Sequence, residues 1–411
     1  MLEKIKKARS TLQGVVSHTP LQLNQNISSA LGASVYLKRE DLQVVRSYKL
    51  RGAFNKISSL SEEELRNGVV CASAGNHAQG LAHSCKLLGI RGMIFMPVTT
   101  PKQKVNQVKS FGGAYIEVVL SDDTFDDTYK TALLNARKNN SAFIHPFDDT
   151  EVIAGQGTVA LEILEDVRSA IDYLFVPIGG GGLAAGVCSV FKPLSPHTKI
   201  IGVQPLGAGS MYEAIRQGKV VTLHTVDKFV DGASVKTAGE KTFEICKDSL
   251  HAIVLVPEGK VCTQILRLYN EEGMVVEPAG ALTIAALDLY KEQIRGKQVV
   301  CIVSGGNNDI TRTEEIKERS LLYENLKHYF VINFAQRSGA LKEFVTEVLG
   351  EHDDITYFQY SKKNSRDLGP AVIGIEVKER EDLEFLLESM RVRQITFEYL
   401  NHKPELLQFI T

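Results

Sequence analysis

Short apolar runs rich in β-branched residues recur along the first three quarters of the chain, each followed by a stretch with helical spacing. VVCAS (69–73) precedes NHAQGLAHSCKLLG, GMIFMP (92–97) precedes PKQKVNQVKSFG, and AYIEVVL (114–120) precedes DTFDDTYKTALLNARKNN. YLFVPI (173–178), TKIIGVQ (198–204), AIVLVP (252–257) and QVVCIVSG (298–305) continue the series. Runs that are apolar throughout predict parallel strands covered by helices on both faces. So many units over about 320 residues exceed one comfortable core, so two α/β lobes are expected.

The pattern changes near residue 321. YFVINFA (329–335), GALKEFVTEVLGE (339–351), DITYFQYSK (354–362), AVIGIEVKE (371–379), EDLEFLLESMR (381–391) and ITFEYL (395–400) read β-α-β-β-α-β. That is the ferredoxin-like order. The expected organisation is residues 1–320, with a small lobe inserted over roughly 40–145, and a separate module over 321–411. The charged helix TEEIKERSLLYENL joins the two.

Composition narrows the function classes without choosing among them. A formal charge of −2 over 411 residues gives no reason to expect nucleic acid or an acidic membrane surface as partner. No apolar run reaches the roughly 18 residues that span a bilayer, and the charged start MLEKIKKARS does not read as a secretory signal. Six scattered cysteines without a C-x-x-C pair read as reduced thiols of a cytoplasmic protein, not a disulfide framework or a zinc site.

The strongest chemical signal is LFVPIGGGGLAAGV. Gly179, Gly180, Gly181 and Gly182 sit directly between a strand and a helix. Backbone N–H groups at a helix start, unshielded by side chains, form an anion site. Four consecutive glycines cost chain entropy that a plain turn does not require. The run also satisfies G-x-G-x-x-A through Ala184, but the next strand ends in Gln204 where a dinucleotide site wants an acidic residue. With no G-x-x-x-x-G-K-[ST] either, a small phosphorylated cofactor fits better than NAD or ATP.

CASAGNHAQG (71–80) is a second strand-to-helix loop. Ser73 and Gly75 suit a tight turn and Asn76 suits an N-cap. The loop is either a capping turn or a carboxylate site built from Ser73, Asn76 and the helix amides. His77 has no acidic or histidine companion at ligand spacing and is read as structural. VSGGNND (303–309) ends the last strand of this region, where Ser304 offers a hydroxyl. Lys49, in VVRSYKLRGA, reads alone as a surface charge, with Arg46 and Arg51 as solvated or ion-paired neighbours.

Taken together, SYKLRGA, SAGNHAQG, GGGGL and SGGN resemble, in order and approximate spacing, the fold-type-II pyridoxal-phosphate enzymes, and more narrowly the threonine/serine dehydratases. LKREDLQ and EPAGA (277–281) strengthen the match, and the tail, with RSGAL at 337–341, is similar to the ACT-like regulatory domain of the short, single-regulatory-domain threonine ammonia-lyases. The resemblance implies a two-lobed α/β catalytic domain of the tryptophan synthase β-like kind, with a ferredoxin-like α+β tail. It implies pyridoxal 5'-phosphate, with Lys49 as its covalent anchor and the catalytic base. Gly179, Gly180, Gly181, Gly182 and Leu183 would hold the phosphate, Asn76 would meet the ring hydroxyl, and Ser304 the ring nitrogen. Ser73, Ala74, Gly75, Asn76 and His77 would hold the substrate carboxylate. Tyr48 stands where the family more frequently has phenylalanine.

The implied reaction is α,β-elimination of L-threonine to 2-oxobutanoate and ammonia, at the head of isoleucine biosynthesis. Isoleucine would act at the tail as inhibitor, with valine as a candidate antagonist, in a homotetramer. A broad serine/threonine dehydratase and a non-catalytic amino-acid sensor are the competing readings. Racemases that resemble this chain carry a serine where Ala74 stands, and acidic cation ligands where Gln204 and Ser210 stand. Neither racemisation nor a divalent metal is therefore expected.

Overall fold

The computed structural model describes residues 1–360 and 368–407; the end of the expected strand 354–362 and the chain beyond 407 lie outside them. The chain divides into two compact units, one of residues 1–258 and 268–309, the other of residues 259–267 and 310–411.

The first unit contains ten strands: β1 (Leu21–Leu23), β2 (Ser34–Arg39), β3 (Val69–Ala72), β4 (Gly92–Met96), β5 (Ile116–Leu120), β6 (Ala142–Phe143), β7 (Tyr173–Pro177), β8 (Lys199–Pro205), β9 (Ala252–Val256) and β10 (Gln298–Val303). They form a six-stranded sheet in the order β1-β2-β10-β7-β8-β9 and a four-stranded sheet in the order β5-β4-β3-β6. Every pairing is parallel except β1 with β2. The central strands β3 and β7 are buried at every residue, as expected of sheets covered on both faces. The larger core gathers Leu174, Val176, Val187, Phe191, Val300 and Ile302; the smaller gathers Val69, Cys71, Leu81, Ile94 and Met96.

Strands β1, β2 and β6 are absent from the pattern read in the sequence. In β2, SVYLKR, the apolar signal is broken by Lys38, yet Lys38 is fully buried. Its ammonium donates to the Thr19 carbonyl at 2.6 Å and pairs with Glu162 at 2.7 Å. A buried charge held by distant partners erases the local strand signature.

Ligand loops of open parallel sheets lie at the carboxyl ends of the strands. All three loops singled out in the sequence do so: 73–76 after β3, 178–181 after β7 and 304–307 after β10. β7 and β10 are neighbours.

The second unit carries β11 (Lys327–Ala335), β12 (Asp354–Tyr360), β13 (Leu368–Glu376) and β14 (Phe397–Tyr399), in the antiparallel order β12-β13-β11-β14. Helices Ala340–Glu347 and Asp382–Val392 complete the ferredoxin-like βαββαβ unit. Phe330, Ile332, Phe344, Ile373, Leu386 and Met390 form its core.

Candidate active site

Lys49 is the first residue of helix Lys49–Ser58. The segment before it is held by the loop after β10. Ser47 pairs with Gly305 in an antiparallel bridge, and the Tyr48 N–H donates to the Ser304 carbonyl at 3.3 Å. Helix Asn76–Leu88 crosses at close range, where a Cβ on Gly80 would stand 3.0 Å from the Leu50 nitrogen. The Lys49 ammonium donates to the Pro146 carbonyl at 3.0 Å. Burial lowers its pKa to about 8, against partial opposition from Glu277. An amine in that range is far more available as a nucleophile or base than an ordinary lysine near 10.4.

The glycine loop abuts the same segment. A Cβ on Gly180 would lie 2.4 Å from the ring of Phe147, one residue beyond Pro146. Gly181 has φ +98°, which side chains rarely adopt. The Gly180 carbonyl is fixed by the Thr242 hydroxyl at 2.6 Å and the Gly239 N–H at 3.2 Å. Helix Gly182–Leu194 starts without a side-chain cap, and its first bond runs from the Ala185 N–H to the Gly181 carbonyl at 2.8 Å. The amides ahead of that bond, Leu183 among them, have no helical acceptor and form the positive end of the helix dipole. His145 Nδ1 accepts from the N–H groups of Phe147 (3.2 Å) and Asp148 (2.8 Å). Burial lowers its pKa to about 4, so its ring is neutral at pH 7.

The loop after β3 differs from expectation in one respect. Asn76 does not cap its helix: Gly75 is the N-cap residue and Asn76 the first helical residue. Its side chain points away from the helix start, donating to Glu277 Oε1 at 2.6 Å and accepting from Asn307 Nδ2 at 2.6 Å. Tertiary partners outcompete the local cap. The Ser73 hydroxyl accepts from the Gly75 N–H at 3.2 Å, closing the tight turn around Ala74. His77 is buried, and Nε2 donates to the Ile144 carbonyl at 3.0 Å. Burial and then Lys49 push its pKa down to about 3, so it is neutral.

Glu277 lies in EPAGA, a family signature in the sequence that gives no role to the acid itself. It is 4 % exposed, and burial, with Asp231 adding, raises its pKa to about 8. Its Oε1 lies where a Cβ on Gly305 would be 2.4 Å away, so the loop after β10 has room for it only through that glycine. Of the two alternatives for Arg51, solvated or ion-paired, the structure shows the second. It is fully buried and forks onto Glu40 (2.9 and 2.7 Å) and Glu162 (2.6 and 3.0 Å).

These residues fit a phosphorylated carbonyl cofactor. An uncapped helix start supplies phosphate donors, and a lysine with a lowered pKa supplies the amine. Ser304 is 2 % exposed, at the end of the strand that neighbours the one before the glycine loop. The model of the pyridoxal-phosphate dependent enzymes matches residues 12–305, and that of the C-terminal regulatory domain of threonine dehydratase matches residues 318–410. An L-threonine dehydratase biosynthetic IlvA from Halalkalibacterium halodurans is 56 % identical over 409 residues, covering 100 % of this chain and 99 % of that protein. The chain belongs to the biosynthetic threonine dehydratases, within the pyridoxal-phosphate-dependent enzymes.

Among solved structures, the processed form of threonine deaminase isoform 2 from Solanum lycopersicum superposes with TM-score 0.74 at 41 % identity, covering 78 % of this chain and 93 % of that one. A serine racemase from Dictyostelium discoideum superposes with TM-score 0.69 at 34 % identity, covering 75 % and 99 %. The threonine deaminase and the serine racemase thus share the catalytic fold with this chain. Gln204 is buried, and its Oε1 accepts from the Tyr212 N–H at 2.8 Å. The buried Ser210 hydroxyl has no partner. Among the described residues no group of three or more His, Cys, Asp or Glu stands ready to hold a metal. All six cysteines are free and buried, and no helix among the described residues is long and apolar enough to cross a membrane.

Proposed function

We propose that the chain is a pyridoxal-phosphate-dependent L-threonine ammonia-lyase that converts L-threonine to 2-oxobutanoate and ammonia. The observation that carries this reading is the position of Lys49. Its amine, with a pKa lowered to about 8, lies on the Pro146 carbonyl beside the Phe147 ring that packs on the glycine loop. Bound pyridoxal phosphate would supply an electron sink for charge developing at the substrate's α-carbon.

The chain supplies the rest. Amides of Gly179 to Leu183 hold the phosphate at the helix start. Ser73 to His77 would hold the substrate carboxylate, and Asn76 and Ser304 would meet the ring's hydroxyl and nitrogen. Lys49 Nζ would anchor the cofactor, and the same amine is the base for the substrate's α-proton. Ser304 would offer its hydroxyl to a neutral ring nitrogen without protonating it, a setting that suits prompt loss of the β-hydroxyl. Ala74 holds no exchangeable proton on its side chain, so the reading includes no racemisation, and no divalent cation is required.

The tail reading follows the same support. Residues 1–320 form the catalytic part and residues 321–411 a regulatory domain that binds isoleucine, with valine as antagonist, in a cytoplasmic homotetramer. An effector shifts activity only through unequal affinity for two states. The deciding experiment measures 2-oxobutanoate release from L-threonine by wild type and Lys49→Ala, with and without isoleucine. Release by wild type alone, reduced by isoleucine, is expected. Equal release by both proteins overturns the role of Lys49, and an unaltered rate with isoleucine overturns the regulatory reading. A full-length and a 1–320 chain with the same isoleucine response would remove the tail from that role.

A further inference from the structure

The side chain of Asn76 is the middle member of a hydrogen-bond chain whose direction is set at one end by the backbone. Asn307 Nδ2 donates to the Val45 carbonyl at 2.9 Å. A carbonyl only accepts, so this contact fixes which end of the Asn307 amide carries the hydrogens. The same Nδ2 donates to Asn76 Oδ1 at 2.6 Å, and this in turn fixes the Asn76 amide. Its Nδ2 is directed to Glu277 Oε1 at 2.6 Å. A primary amide has two N–H donors. Glu277 takes one from Asn76, and the acceptor oxygen is already committed to Asn307. As a donor, Asn76 has one N–H left to offer a ligand, beside a second lone pair on the Oδ1 that already accepts from Asn307.

We propose that Asn307 and Glu277 are positioning residues that hold Asn76 as a donor, so that the site selects the ionised form of the cofactor's ring hydroxyl. This rests on the functional reading above, in which Asn76 meets that hydroxyl. A donor there stabilises an oxygen anion. A flipped amide would present Oδ1 instead and require the ring oxygen to keep its proton. The chain begins at Val45, four residues before Lys49, and passes the loop after β10 at Asn307. The polarity of the ring contact is therefore tied to the segment that places the anchoring amine. The raised pKa of Glu277 is compatible with this, because a neutral carboxyl still accepts through its carbonyl oxygen.

Three holoproteins test the inference: wild type, Asn307→Asp, and Asn307→Asp combined with Glu277→Gln. An aspartate at 307 accepts from Asn76 and forces its amide to turn. The glutamine at 277 then donates to the turned Oδ1, so the double variant restores both side-chain contacts of Asn76, while the Val45 carbonyl loses its donor in both variants. The readouts are the visible absorbance of bound pyridoxal phosphate, its dissociation constant by fluorescence titration, thermal stability, and borohydride trapping at Lys49 read by mass.

The expected result is a trapped cofactor at Lys49 in all three proteins. In both variants the long-wavelength band gives way to near-ultraviolet absorbance and the dissociation constant weakens by about tenfold, as for one lost hydrogen bond to a charged group. The double variant regains thermal stability lost in Asn307→Asp but not the visible band, a split that a merely structural role would not produce. A wild-type spectrum and affinity in Asn307→Asp overturns the inference. If that variant does not fold, the double variant decides alone, and a wild-type band there overturns it equally. A wild-type chain that traps no cofactor at Lys49 overturns the functional reading itself, a distinct outcome.

Discussion

Replacing Arg51 by methionine tests how the helix that carries Lys49 is held. Arg51 sits two residues into that helix, fully buried, and reaches Glu40, Glu162 and the Thr158 hydroxyl at 3.1 Å. Burial works against its charge, but Glu40 and Glu162 outweigh it and its pKa is raised. Burial likewise opposes the charge of Glu162, yet Arg51 and Lys38 hold its pKa below 4.5. Two cations, Arg51 and Lys38, thus face two buried carboxylates, Glu40 and Glu162, and Asp166 lies 3.6 Å from the Lys38 ammonium. Methionine leaves Lys38 with Glu162 and leaves Glu40 against the Thr19 hydroxyl at 2.5 Å. One buried carboxylate is then uncompensated, a change that typically costs about 3–5 kcal/mol.

The cheapest relief is uptake of a proton. For a glutamate of ordinary pKa near 4.3 that costs about 4 kcal/mol at pH 7 and about 1.6 kcal/mol at pH 5.5. A carboxyl whose folded pKa is raised destabilises above its unfolded pKa, and the penalty fades as pH falls. The wild-type contribution of Glu162, whose folded pKa is depressed, is present above its unfolded pKa and is lost only as pH falls through its lowered value. The Arg51→Met deficit therefore shrinks by about 2 kcal/mol between pH 7 and pH 5.5. Native-state hydrogen exchange of the helix Lys49–Ser58 amides reads the opening free energy locally, without requiring a chain of two units to unfold in one step. A deficit below about 1 kcal/mol, or one equal at both pH values, would refute the argument.

Other outcomes follow from the same geometry. Gly180→Ala drives a methyl into the Phe147 ring and should cost about 1–3 kcal/mol of overpacking, measured as weaker pyridoxal phosphate binding and partly restored by Phe147→Leu. In cofactor-free protein, the rate of covalent reloading at Lys49 should rise with pH and level off above about 8, because the neutral amine is the reactive form. A plateau reached only near pH 10 would mean that burial does not lower this amine. Ser304→Asp should slow elimination and raise side reactions, seen as a changed ratio of 2-oxobutanoate to other products. D-amino acid formed from L-serine or L-threonine would contradict the reading of Ala74.

Much of this molecule is legible without coordinates, for a local reason. Parallel strands buried on both faces are near-continuous apolar runs, so β3, β7 and β10 announce themselves within a few positions. The glycine run is equally local. Gly181 needs a left-handed backbone and Gly180 needs the space that Phe147 fills, and both demands are written as glycine. The antiparallel tail is legible because two helices and four strands follow one another closely, so pattern and topology coincide.

Contacts between residues far apart in the chain are what the pattern does not carry. Lys38 and Arg51 look like surface charges until Glu162, more than a hundred residues away, is placed beside them, and this hid β2. Asn76 has the composition of a helix cap, but Glu277 and Asn307 lie some two hundred residues on, and they take its side chain instead. Glu277 itself is an acid before a proline until burial raises its pKa. A buried polar group is costly unless it is paired. Its role is therefore set by the partners that folding delivers, and those partners are invisible to any window along the chain.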